Sequence, residues 1–198
     1  MQPAHINEDP LPGENPIAYV VRLAREKAEA VLRKAASNLP DVADRGTEGL
    51  ETKGLGPAET VVVLGADTTV EVDGQILAKP ADAADAARML RQLSGRTHRV
   101  ITGVAVVYAQ APKPNSEASI RSEVAAEVTG VRFLTMSDAE IASYVATGEP
   151  MDKAGAYGIQ GRAARWIPRV EGCYFNVMGL PLALVSTMLG AAGLRADL

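Results

Sequence analysis

Apolar positions first recur with a helical period after Asn15-Pro16. Ile17, Val20, Val21, Ala24, Ala28, Val31 and Leu32 share one face. Asn15 suits the cap, because its side chain can accept from an N–H of the first turn. Pro16 suits the first helical position, where an N–H has no partner in the helix anyway. Lys27 falls at the edge of the stripe, with Arg22, Glu26 and Arg33 opposite. An edge lysine can bury its stem and aim its ammonium into a cleft; it can equally be a solvated surface charge. From Leu39 to Thr60 the pattern lapses, and the residues there read as a long surface loop.

Val61-Val62-Val63-Leu64 is a continuous apolar run, the pattern of a buried strand. It leads into Gly65-Ala66-Asp67-Thr68-Thr69, where the strand is expected to end. Val70-Glu71-Val72 and Gln75-Ile76-Leu77 flank Asp73-Gly74, a strong hairpin signal. Asp82 caps a helix carrying Ala86, Met89, Leu90 and Leu93. Val100 to Tyr108 and Glu123 to Phe133 read as antiparallel strands, with residues 110–122 as a surface loop between them. Ser137-Asp138-Ala139-Glu140 is a capping box. Glu149 to Gly161 reads as a Gly-rich loop, Arg165 to Val170 as a short strand, and Pro181 opens a final apolar helix. Helices alternate with strands, so the expected class is α/β, with a mixed sheet flanked by helices in a single domain over residues 1–198.

Composition narrows the function. Of 198 residues, 47% are hydrophobic and 22% charged, which excludes a disordered chain. A net charge of −4 argues against a nucleic-acid or membrane-surface partner, so an anionic ligand has to be held by a few local cations. Cys173 stands alone, so no internal disulfide forms, and a reducing, cytoplasmic setting fits. The only histidines, His5 and His98, are too few for a His-based zinc site. The apolar stretch Leu182 to Leu194 falls short of the roughly 20 residues that a membrane span needs. The polar, Pro-rich beginning does not read as a secretory signal.

Asp67 is the sharpest candidate for chemistry. At the C-terminal edge of a strand, a carboxylate beside small residues can hold Mg²⁺, take a proton from water, or merely cap a turn. Lys79 stands in an extended stretch before Pro80, and Lys153 sits in the loop that ends at Gly161. Gln160 in that loop carries both a donor and an acceptor and can read the edge of a base or sugar. Cations with a metal-binding carboxylate are what a polyphosphate site requires. No G-x-S-x-G elbow accompanies Ser94 or His98, so His98 reads as a packed residue. Cys173 and Trp166 read as packing residues too.

The segments YVVRLAREKAEAV, VVVLGADTTV, ILAKP, MLRQLSGRTHRVITGVAVV, YVATGEPMDKAGAYGIQG and VMGLPL, in that order, resemble the Maf family of nucleoside triphosphate pyrophosphatases. DKAGAYGIQG is similar to the branch that acts on dTTP and UTP. The resemblance implies an elongated α/β fold, with a cleft between two lobes, of the inosine triphosphatase class. It implies hydrolysis between the α- and β-phosphates with a divalent metal, Mg²⁺ or Mn²⁺. On this resemblance Asp67 is the proton acceptor and Thr68 and Gln160 carry pyrimidine selectivity. Lys27, Lys79 and Lys153 bind phosphates, and Glu8 joins Asp67 at the metal. Homodimers are common in the family. Its motif S-x-S-P-R-R does not occur in this sequence, so the family's first strand and helix are expected to be missing. The alternative is a catalytically impaired nucleotide-binding regulator, in keeping with the family's association with septum formation.

Overall fold

The structure is a computed structural model and describes residues 6–37, 61–110 and 119–193. The loop expected over 39–60 lies outside the described residues. Helix α1 spans Pro16–Ser37, and strands β1 and β2 span Val61–Val72 and Gln75–Leu77. Helix α2 (Ala83–Leu93) leads to β3 (Thr97–Gln110) and β4 (Ser119–Arg132). After α3 (Asp138–Val145), three short 3₁₀ turns at Glu149–Asp152, Ala154–Ala156 and Arg162–Trp166 precede β5 (Arg169–Glu171). Helices α4 (Tyr174–Val177) and α5 (Leu182–Ala191) finish the described chain.

The caps follow the side-chain chemistry expected of them. Asn15 Oδ1 accepts from Ala18 N–H at 2.9 Å, and Asp82 Oδ1 from Asp85 N–H at 2.8 Å. At Ser137 both halves of the capping box form with Glu140. Asp73 and Gly74 have φ of 53° and 78°, the two positive angles that a type I′ hairpin demands. The turn joins Val72 to Gln75 in the β1–β2 ladder.

The sheet order is β2-β1-β3-β4-β5, and every pairing among the described residues is antiparallel. The α/β class holds, but the expected mixed sheet is corrected to an antiparallel one. The physical reason is that the hairpin reverses the chain after β1, and the α2 connection then carries it past β1 without a further reversal, so β3 runs parallel to β2 and antiparallel to the β1 strand between them. Beyond the hairpin, β3 and β4 run longer than the sequence pattern indicated. They take both ends of the expected 110–122 loop, and residues 111–118 lie outside the described part.

Asp67 is not at a strand end. β1 runs unbroken through it, pairing Gly65 with Ala105, Asp67 with Gly103 and Thr69 with Ile101. Gly65 and Ala66 do not stop the strand; the missing side chain at Gly65 instead makes room for a helix. A β-carbon at Gly65 would overlap the Ala24 carbonyl, and one at Gly103 the Val20 carbonyl. Helix α1 therefore lies close on this face, with Ala24, Ala28 and Leu32 packed on Ala105 and Val107, and Tyr19, Val20 and Leu23 on Ile101. The buried stripe is turned slightly from the one expected. Tyr19 and Leu23 are inside, and Ile17 is 43% exposed.

The opposite face carries two cores. Val104 and Val106 pack on Val185 and Met188 of α5. The larger core gathers Val70, Val72 and Val100 with α2, α3, Phe133, Tyr157 and Trp166. His98 is 2% exposed, bonded through Nε2 to the Tyr157 hydroxyl at 2.7 Å, and set edge-on to Phe133. Burial lowers its pKa to about 4, so it is a neutral packing residue, as the sequence indicated. Trp166, 5% exposed, is likewise core.

The seat of α1 is testable. Gly103→Ala should lower the free energy of unfolding by about 1–3 kcal/mol in urea titrations, because backbone, not a flexible side-chain tip, has to move. Gly190 of α5 has nothing within 4 Å of its would-be β-carbon. Gly190→Ala should leave stability unchanged or raise it by up to about 1 kcal/mol, because alanine is the better helix former.

Candidate active site

A cleft of about 490 Å³ follows the edge of β1. On that edge β1 is paired only from Val70 to Val72, by β2, among the described residues. The cleft can therefore draw on both faces of the sheet. Glu8, Tyr19, Lys27 and Asp67 enter from the α1 side, and Thr68, Met178 and Gly179 from the α4 side. Lys79 and Lys153 also line it.

Close packing of α1 brings Lys27 to Asp67. Its Nζ donates to Asp67 Oδ1 at 2.6 Å and lies 2.8 Å from Glu8 Oε1. Glu8 is placed by α1 as well. The Tyr19 hydroxyl donates to the Glu8 carbonyl at 2.9 Å, and Arg22 holds the same segment through Glu14 at 2.7 Å and the Asp9 carbonyl at 3.1 Å. On the far rim Gly155 N–H donates to the Ala78 carbonyl at 3.1 Å. That bond sets the segment carrying Lys153 against the one carrying Lys79. The Glu149 carboxylate ties this turn-rich segment together, accepting from the Tyr144 hydroxyl at 2.8 Å and Arg162 N–H at 3.0 Å. Lys153 Nζ donates to Asp152 at 2.6 Å, which lowers the Asp152 pKa.

The electrostatics centre on Asp67, whose side chain is 11% exposed. Burial disfavours its charge and raises its pKa, with the Lys27 hydrogen bond and charge opposing. Burial works against the Lys27 ammonium too, but the bonds and charges of Asp67 and Glu8 outweigh it, and its pKa is raised. The Tyr19 hydroxyl is pushed up by burial and then by the two carboxylates. The cleft thus holds an ammonium kept charged beside a carboxylate raised toward proton uptake. That suits a general base, whose ideal pKa lies near the working pH.

Among the described residues no cluster of three or more His, Cys, Asp or Glu could cage a metal. Glu8 and Asp67 are two carboxylates meeting at one cation, Lys27. This donor set fits Mg²⁺, which is usually held by one or two carboxylates plus substrate phosphates and water.

Of the residues singled out in the sequence, Glu8, Lys27, Asp67, Thr68, Lys79 and Lys153 all line the cleft. Gln160 is exposed and is not among the lining residues. Sequence reasoning missed Tyr19, Thr69, Asp9 and Asp152. Thr69 follows Asp67 at strand period two and was findable by that rule. Tyr19 precedes Lys27 by eight positions on α1, a spacing that also fits plain core packing.

Replacing Lys27 by Met should reveal the buried charge. Protonated Asp67 needs no partner, so the loss belongs to the pH range where it is ionised. Stability should fall by on the order of 2 kcal/mol near pH 7 and by much less at about pH 3, below the ordinary Asp value. In the parent, Asp67's raised pKa favours the fold at low pH, an advantage lost as pH rises past its ordinary value and through the raised one. Lys27 acts at the alkaline end. Its stabilising contribution is complete below the ordinary lysine pKa and fades as pH climbs through the raised one. Urea unfolding across this range measures both, and equal losses at the two acidic-to-neutral points would reduce Lys27 to a packing role.

No helix among the described residues is long and apolar enough to cross a membrane. A family model described as "Maf-like protein" matches residues 1–192. A dTTP/UTP pyrophosphatase of Koribacter versatilis is 46% identical over 193 residues, covering 98% of this chain and 83% of that protein. One of Aromatoleum aromaticum is 47% identical over 191 residues, covering 96% and 79%. One of Chromobacterium violaceum is 44% identical over 190 residues, covering 96% and 82%. With α1, the long β1–β3–β4 ladder and the cleft all inside the matched span, the chain belongs to the Maf-like protein family.

Proposed function

We propose that the chain is a hydrolase that converts dTTP and UTP to the nucleoside monophosphate and pyrophosphate. The observation that carries this reading is the buried Asp67 carboxylate, held by Lys27 in a cleft that also exposes Lys79 and Lys153. The relatives named dTTP/UTP pyrophosphatase support the choice of substrates.

Asp67 takes a proton from a water molecule as its oxygen attacks the α-phosphorus. The bond from that phosphorus to the bridging oxygen breaks, and the electron pair leaves with pyrophosphate. Lys79 and Lys153 face the departing charge, and their ammonium groups stabilise it more strongly inside a cleft than in open water. Lys27 orients the base and, with its raised pKa, stays protonated while Asp67 works. Glu8 and Asp67 would hold a divalent cation, Mg²⁺ or Mn²⁺. When bound, that cation supplies charge neutralisation for the triphosphate. Thr68 is the proposed contact to the base, with Gln160 as a second reader from the exposed turn beyond Tyr157. The setting proposed is cytoplasmic, and a homodimer is the proposed assembly.

Pyrophosphate release from dTTP and UTP tests the reading directly, with Mg²⁺ or Mn²⁺ present and then removed by chelation. Activity should vanish on chelation and return with added metal. Asp67→Asn should lower turnover by about 10²–10⁴-fold, the range for losing a general base, with an unchanged circular-dichroism spectrum. Near-parental hydrolysis by that variant would remove Asp67 from the chemistry.

A further inference from the structure

Among the described residues, four neutral side chains with hydroxyl groups line the cleft: Tyr19, Thr68, Thr69 and Tyr157. The Tyr19 hydroxyl is bound to the Glu8 carbonyl, and the Tyr157 hydroxyl to His98. Thr69 is 1% exposed, and its hydroxyl has no partner among the described residues. Thr68, half-buried beside Gly179, is the one with both exposure to the cleft and a fixed hydrogen-bond direction.

That direction follows from a chain of oxygens behind it. Thr102 Oγ1 lies 2.9 Å from the backbone carbonyl oxygen of Asn176. A carbonyl oxygen carries no hydrogen, so the proton on this contact is Thr102's. Thr102 Oγ1 also lies 2.9 Å from Thr68 Oγ1. Its only proton is already committed, so here it accepts and Thr68 donates. Thr68 is left with lone pairs alone to offer the cleft.

Asn176 is locked in turn. Its Nδ2 donates to the Val100 carbonyl at 2.9 Å and to Thr129 Oγ1 at 3.0 Å, while the Thr129 hydroxyl donates to the Cys173 carbonyl at 2.9 Å. Thr102, Thr129 and Asn176 are each 0% exposed, so water does not scramble these roles. The relay crosses from β3 and β4 to α4 and ends at the cleft.

We propose that Thr102, oriented by the Asn176 carbonyl, is a positioning residue that fixes Thr68 as a hydrogen-bond acceptor and so selects pyrimidines with a ring N–H. The proposal rests on the cleft being the nucleotide site and deepens that reading. Uracil and thymine carry an N–H between their two carbonyl groups. Cytosine has a bare nitrogen at that position, and its lone pair would meet those of Thr68. A site that leaves such a pair unsatisfied discriminates strongly.

The experiment compares kcat/KM for UTP and CTP in the full chain and in Thr102 variants. Thr102→Val keeps the side-chain shape, and the Asn176 carbonyl keeps a donor in Gly179 N–H at 3.0 Å. In that variant the Thr68 hydroxyl is released and can donate to a bare ring nitrogen. The UTP-to-CTP ratio should fall about tenfold, the scale of one hydrogen bond near 1.4 kcal/mol. Thr102→Ser should return the ratio to the parental value. Adding Thr102→Val to Thr68→Val should change the ratio no further, because the relay acts through Thr68. If Thr102→Val does not fold, Thr102→Cys, whose thiol is a weak acceptor, should shift the ratio in the same direction. A folded Thr102→Val that loses both activities equally, or leaves the ratio unchanged, overturns the proposal while the nucleotide reading stands. A parent chain that hydrolyses neither dTTP nor UTP overturns the reading itself, and the proposal with it.

Discussion

Helix α1 can rest on the sheet only where the sheet has no side chains to hold it off. Gly65 on β1 and Gly103 on β3 supply that clearance beneath the Ala24 and Val20 carbonyls. Much else hangs from this contact. It lets Ala24 and Ala28, three positions before Lys27 and one after it, pack on Ala105, and so brings the ammonium within 2.6 Å of Asp67. The same helix carries Tyr19 and Arg22, which tie Glu8 and its neighbours over the cleft. Raising the helix by the thickness of one methyl group would separate the ion pair and loosen the segment together.

The ion pair itself is a compromise between burial and charge. A buried carboxylate costs free energy unless it is paired, and a paired one can become too weak a base. At Asp67 burial pushes the pKa up and Lys27 pushes it down, with burial the larger influence. The net effect keeps the carboxylate basic while the bond to Lys27 fixes its orientation. The pair does not serve as a stabilising device in the ordinary sense, since removing both charges from such a place often costs a fold little. Its presence makes sense as positioning.

How far the sequence could be read depended on which forces act locally. Caps, the Asp73-Gly74 turn and the helical period of α1 are set by neighbouring residues, and they were legible. The length of β1 was not. Gly65-Ala66 reads locally as a break, and only the helix packed against it explains a continuous strand. The sheet's antiparallel order depends on where α2 carries the chain, which no local pattern encodes. Asp67, Lys79 and Lys153 stood out by position, and Lys27 by its place at the edge of an apolar stripe. Thr102 and Asn176 did not. Each lies among apolar neighbours, and their roles arise from partners 34 and 74 positions away.

The pleat of β1 explains why one cleft can hold two kinds of chemistry. Successive residues of a strand point to opposite faces, so Asp67 and Thr68 belong to different environments. Asp67 faces α1 and its cations; Thr68 faces the neutral network of Thr102 and Asn176. In the middle of a sheet the two would never meet the same ligand. Along the part of the β1 edge that has no neighbouring strand among the described residues they do, because the cleft reaches around that edge to both faces. The Lys27–Asp67 ion pair thereby lies on one side and the uncharged Thr68–Thr102 contact on the other, with a single backbone step between them. A nucleotide divides in the same manner, into an anionic phosphate chain and a neutral base. The strand's alternation supplies the matching division within two successive residues.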